Sequence, residues 1–296
     1  MVVTSPPAIH TVADVKAVLG EGPCWVAREQ RVYWLDIKGQ RLFRLDPDGT
    51  VREWPTPMRV GSVAPRAGGG FVAGTDLGFM SFALDDDEGP RFTEICHPEA
   101  DLEGNRFNDG KVDRVGVFWA GTMDDREKED RGSLYRLGAD HRWTRADDDY
   151  AVTNGPAFSP AGDVLYHTDS GKRTIFKFAM RDDGTLGQRE IFARFAGAEG
   201  YPDGMTVDAE GCLWVAFWDG WAVRRFAPDG GELAIIETPV QRPTSVVFGG
   251  PQLDRLYITS ARVGLDQTAL AAQPLAGALF LVEPGVTGIA DLPFAG

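Results

Sequence analysis

Residues 201–230, YPDGMTVDAEGCLWVAFWDGWAVRRFAPDG, read as short apolar runs separated by tight turns. The run from Met205 breaks at Asp208-Ala209-Glu210-Gly211, resumes at Leu213-Trp214, turns at Asp219-Gly220 and closes on Asp229-Gly230. β-Branched and aromatic residues bounded by Asp and Gly predict strands joined by hairpins. The pattern recurs at 32–49, 70–89, 118–137, 165–184 and 256–265, anchored with this stretch on Tyr33, Phe71, Trp119, Tyr166, Trp214 and Tyr257. The anchors are 38, 48, 47, 48 and 43 residues apart. A strand-built repeat in this range, without a long amphipathic helix, predicts a β-propeller.

Each anchor also follows a further short strand, as in PAFSPAGDVLYHTD, which makes four strands per unit. Length alone, 296 residues, predicts about two domains. Six units predict instead one all-β domain over 1–296, a six-bladed propeller of four antiparallel strands per blade. The N-terminal segment is expected to pair into the last blade and close the ring. Trp119 and Trp214 are expected in the blade cores.

Composition excludes several partners. A net charge of −14 and a pI near 4.7 argue against nucleic acid and anionic membrane, which demand a basic face. No apolar run approaches the roughly 18 residues of a membrane span. MVVTSPPAIHTVADVK has neither a basic start with an apolar core nor a cleavage site, so a cytoplasmic protein is expected. Cys24, Cys96 and Cys212 are odd in number and form no CxxC; they are expected to be reduced and mostly buried. A monomer or weak oligomer is expected.

Counting back from the anchors shows a second regularity. Glu21 lies 12 residues before Tyr33, Asn108 lies 11 before Trp119, Asn154 lies 12 before Tyr166 and Asp203 lies 11 before Trp214. Glycine follows each closely, in GEGP, FNDG, TNGP and YPDG. Equivalent positions of a propeller surround its axis, so these four side chains should converge on the central channel. Two carboxylates and two carboxamides suit a hard cation such as Ca²⁺ or Mg²⁺ better than structural Zn²⁺. In RFNDG both Asn108 and Asp109 fall near the ring position. There is no GxSxG, HExxH or phosphate-binding glycine loop. His10, His97, His141 and His167 are dispersed and read as structural or exposed. The run DDREKEDRG, 124–132, reads as a solvated loop that could form a lid.

At GEGPCW, RFNDGKVD, WAGTMDD, GSLYRL, VTNGPAFSP, YHTDS, YPDGMTVDAEGCLWVAFWDGWAVRRFAPDG and RPTSVVFGG, the chain resembles the regucalcin and gluconolactonase family of six-bladed propeller lactonases. The resemblance implies one divalent metal held by Glu21, Asn154 and Asp203, with Arg106 and Asn108 contacting a sugar lactone. After GTM, where regucalcin-like proteins carry a substrate-contacting Glu, this chain has Asp124-Asp125, and Asp125 is the expected substrate contact. ARVGLDQTALAAQPLAGALF, near the C-terminus, resembles bacterial sugar-acid lactonases, including xylonolactonases. The expected activity is metal-dependent hydrolysis of a small-molecule sugar lactone, with Ca²⁺ first among Mg²⁺, Mn²⁺, Zn²⁺ and Fe²⁺. Asp203 is the candidate general base, with Asp125 able to share the role. An arylesterase or phosphotriesterase using the same ring, and a calcium-binding propeller without activity, remain alternatives.

Overall fold

The structure is a computed structural model that describes residues 7–296. Its strands form six four-stranded antiparallel sheets, five of them in consecutive meander order and the sixth completed by the first strand of the chain. The first blade runs through Gly20–Val26, Arg31–Asp36, Arg41–Leu45 and Val51–Pro55. The next four follow the same plan from inner strands Val60–Pro65, Asn105–Val112, Thr153–Phe158 and Tyr201–Val207. The sixth is built from Pro243–Gly249, Arg255–Ser260 and Leu279–Val282, and its outer strand is Ile9–Ala13 from the other end of the chain. The expected ring closure is therefore present. It joins the first and last blade strands of the chain by backbone hydrogen bonds, so that the sixth sheet is completed by the N-terminal strand.

Aromatic strand residues fill the space between blades, as the repeat predicts. Trp119 is 0% and Trp214 2% exposed. Their indole N–H groups donate to Asp113 at 2.8 Å and Asp208 at 2.9 Å, the acids of the VDRVG and VDAEG turns. Each buried ring is thus satisfied at its polar end. Cys24 and Cys212 are buried, Cys96 is half-buried and all three are free thiols. His167, fully buried against Tyr150, is pushed down to about 3 by burial and is neutral.

Inner strands of neighbouring blades pack side by side right round the axis. Every one carries a register shift against its second strand: between Glu21 and Cys24, Val60 and Ser62, Phe107 and Gly110, Asn154 and Ala157, Pro202 and Met205, and Pro243 and Val246. A bulge leaves residues unpaired and re-aims their side chains. Here the shifts lie at or directly after Glu21, Asn108, Asn154 and Asp203, the inner-strand residues that face one central cavity. Gly155 adopts φ of 72° at its bulge, a conformation costly for other residues. Gly61 meets a different need, since a Cβ there would overlap the carbonyl oxygens of Asn108 and Phe107 in the next blade.

Candidate functional site

The bulges gather Glu21, Asn108, Asn154 and Asp203 on the wall of one cavity of about 470 Å³. The second and sixth blades bring only Gly61 with Ser62, and Thr244 with Ser245, to the corresponding bulges. Asn108 and Asp109 separate at theirs. Asn108 faces the large cavity, where its Nδ2 donates to Asn154 Oδ1 at 2.9 Å. Asp109 faces a separate void of about 20 Å³, beside Lys111 and Asp291, and remains close enough for its charge to act on Glu21 and Asp203. It is fixed there by the amides of Gly110 at 2.7 Å and Gly155 at 3.1 Å.

Arg106 lines the same cavity and is 5% exposed. Its Nη1 donates to Asn108 Oδ1 at 2.6 Å and its Nε to Asp125 Oδ1 at 2.6 Å. Asp125 does not line the cavity. It stands behind Arg106 and also receives Lys38 Nζ at 2.8 Å and Arg59 Nη1 at 2.5 Å. Burial opposes its ionisation, but the hydrogen bonds from Lys38 and Arg106 hold its carboxyl below the usual range. A carboxylate so engaged is a poor proton acceptor at neutral pH.

The acid that reaches the cavity from this loop is Glu127. The loop curls round buried Asp124, which accepts from the amides of Arg126 at 3.3 Å and Lys128 at 3.1 Å. The 124–132 run is therefore only partly a solvated loop, since it delivers a carboxylate to the mouth. The sequence also passed over Lys38, Ser170, Trp218, Asp219 and Arg242 on the cavity wall. Their signal is positional, because each lies within a few residues of the end of a blade's second strand or the start of its inner one. Ser170 joins two blades: it receives Asn154 Nδ2 at 2.9 Å and donates to the carbonyl of Pro202, next to Asp203, at 2.6 Å. No histidine lines the cavity.

The charges of Glu21 and Asp203 are poorly balanced. Burial, followed by the charge of Asp109, raises the Glu21 carboxyl to about 8. Burial, then Glu21 and Asp109, raises Asp203 well above its ordinary value. Like charges in a desolvated site resist ionising together. Among the described residues no three His, Cys, Asp or Glu side chains form a metal-binding group. The donor set is instead two carboxylates with carboxamides, all oxygen donors, which fits a hard divalent cation. Such an ion would supply the missing positive charge and reverse both shifts.

The sequence matches the SMP-30/Gluconolactonase/LRE-like region over residues 19–262. The chain belongs to this family. Within the SMP-30/gluconolactonase family, it is similar to a 6-deoxy-6-sulfogluconolactonase from Pseudomonas putida, 41% identical over 97% of this chain and 99% of that protein. An L-arabinolactonase from Azospirillum brasilense is 37% identical, over 96% of this chain and 95% of its own length. The crystal structure of a calcium-binding protein, regucalcin, from Agrobacterium tumefaciens matches with a TM-score of 0.93 at 30% identity, covering 98% of each chain. The family likeness expected from GEGPCW, TNGP and YPDG thus extends over nearly the whole molecule.

Proposed function

We propose that this family member hydrolyses a sugar lactone of the aldonolactone class to its sugar acid, using one divalent ion, Ca²⁺ first, at Glu21, Asn154 and Asp203. The reading is carried by one observation: two buried, mutually repelling carboxylates share a cavity with the donors of Arg106 and Asn108. The lactonases among its relatives support the reaction class. When bound, the ion supplies Lewis-acid polarisation of the lactone carbonyl and stabilises the oxyanion that forms as water adds.

The chain's own groups divide the remaining work. Arg106 and Asn108 orient substrate hydroxyls, since polyols are distinguished by hydrogen bonds. Asp125 holds Arg106 in place, and Glu127 takes the role of hydroxyl acceptor expected of the acid after GTM. A carboxylate oxygen of Asp203 takes the proton of the incoming water and returns it to the departing ring oxygen, giving a carboxylic acid and a free hydroxyl. No described helix is long and apolar enough to cross a membrane. The free thiols support a reducing, cytoplasmic setting.

The test is turnover of an aldonolactone panel by metal-stripped protein refilled in turn with Ca²⁺, Mg²⁺, Mn²⁺, Zn²⁺ and Fe²⁺. Restored turnover of at least one lactone is expected. Turnover of arylesters or phosphotriesters alone would move the chain to that class. Tight Ca²⁺ binding without turnover beyond spontaneous opening would leave a binding protein.

A further inference from the structure

Outside the cavity, two acids occupy the same place in opposite blades of the ring. Asp36 ends Arg31–Asp36 opposite Gly20, one residue before Glu21; Asp169 ends Val164–Asp169 opposite Thr153, one residue before Asn154. They are 1% and 0% exposed. Asp36 accepts from the amides of Val18 at 2.8 Å and Leu19 at 3.0 Å. Asp169 accepts from those of Ala151 at 3.1 Å and Val152 at 3.3 Å. In both blades the clasped amides belong to the residues three and two places before the one that faces the axis.

Each acid is held in turn. Asp36 accepts from the Gly39 amide at 2.8 Å and pairs with Arg41 at 2.9 Å. Asp169 accepts from the Lys172 amide at 3.2 Å and pairs with its Nζ at 3.3 Å. At the equivalent position the other blades have Thr75, Thr122, Phe217 and Ser260, none of them an acid. The carboxylates therefore sit only where the inner strand carries Glu21 or Asn154.

Those amides lie just ahead of the bulge, before the regular ladder begins; the Leu19 bond is buried and those of Val18, Ala151 and Val152 are partly buried, and an amide shielded from water without a partner is costly. A carboxylate satisfies two at once with charge-assisted hydrogen bonds and fixes the backbone that aims the next side chain. We propose that Asp36 and Asp169 are positioning residues that clasp the backbone ahead of Glu21 and Asn154, pre-organising those two side chains for a divalent cation from opposite sides of the channel. The inference rests on the metal reading given above.

The test is calorimetric titration of metal-free Asp36→Asn, Asp169→Asn and Glu21→Gln proteins with Ca²⁺, alongside their thermal melts. Lost outer partners of metal ligands typically cost about 10- to 100-fold in affinity, and a Kd raised on that scale in both clasp variants is expected. A lowered Tm with wild-type Kd would reduce the clasps to ordinary structural groups and overturn the inference. If only Glu21→Gln loses binding, the metal reading stands and the clasps fall. If Glu21→Gln binds as wild type, both fall. Amide exchange in the unaltered protein gives a readout independent of whether the variants fold: Ca²⁺ should slow exchange at Val18, Leu19, Ala151 and Val152, and unchanged exchange at all four would count against the clasps.

Discussion

Asp203 combines two roles that one substitution can separate. Asp203→Asn keeps the size and one coordinating oxygen but removes the anion and the proton acceptor. Loss of a proton-transfer group typically costs about 10²- to 10⁴-fold in rate, so kcat at saturating metal should fall on that scale while excess metal restores only occupancy. Full recovery of kcat would make Asp203 a ligand alone. Glu127, on the cavity wall, would then be the next base to test, because Asp125 is bound by three cationic side chains. Which of Asn108 and Asp109 faces the cavity was open in RFNDG for a related reason. Adjacent residues normally point to opposite faces, and only the bulge fixes which of the pair meets Asn154.

At the scale of the strand, the six bulges are what convert a sheet into a site. Gly61 permits the second blade to approach the third, since a Cβ would lie 2.5 Å from the Phe107 carbonyl oxygen. Gly61→Ala should destabilise the protein by about 1–3 kcal/mol through overpacking, seen as a lower Tm. The same shift would press on the backbone of Asn108, so KM for the lactone should rise in parallel. An unchanged Tm would show that the inner strands yield more easily than this packing implies. Strand existence was legible from the aromatic anchors and the Asp-Gly turns. The register shifts were not, because they belong to a pair of strands and no single strand encodes its partner's alignment.

For the molecule as a whole, six packed blades carry the fold and the ion would carry the chemistry. Chelation should leave the far-ultraviolet β spectrum in place and shift only the melting curve. The pH response gives a sign. Glu21, ordinarily near 4.5, titrates at about 8 in the metal-free fold, so folding favours its protonated form. That contribution is fully present below about 4.5 and lost as pH rises through about 8. Metal-free protein should therefore lose Tm over this window. Protein loaded with a divalent ion should lose less and should release protons on loading, measurable as a buffer-dependent heat. A metal-free Tm that is flat across the window would mean that Glu21 is ionised without the ion.

The sequence by itself determined the repeat, the strand content, the closure of the ring by its own N-terminal segment, and the common offset of Glu21, Asn108, Asn154 and Asp203. These follow from local pattern: period, turn chemistry and the position of a polar residue relative to an aromatic anchor. Tertiary structure alone decided that Asp125 backs Arg106 while Glu127 reaches the cavity. It also turned Asp109 away from Asn108 into a separate void and set Asp36 and Asp169 behind opposite walls. The physical reason is that burial, charge pairing and the direction of a side chain at a bulge arise between strands and blades that only the fold brings together, from residues apart in the chain.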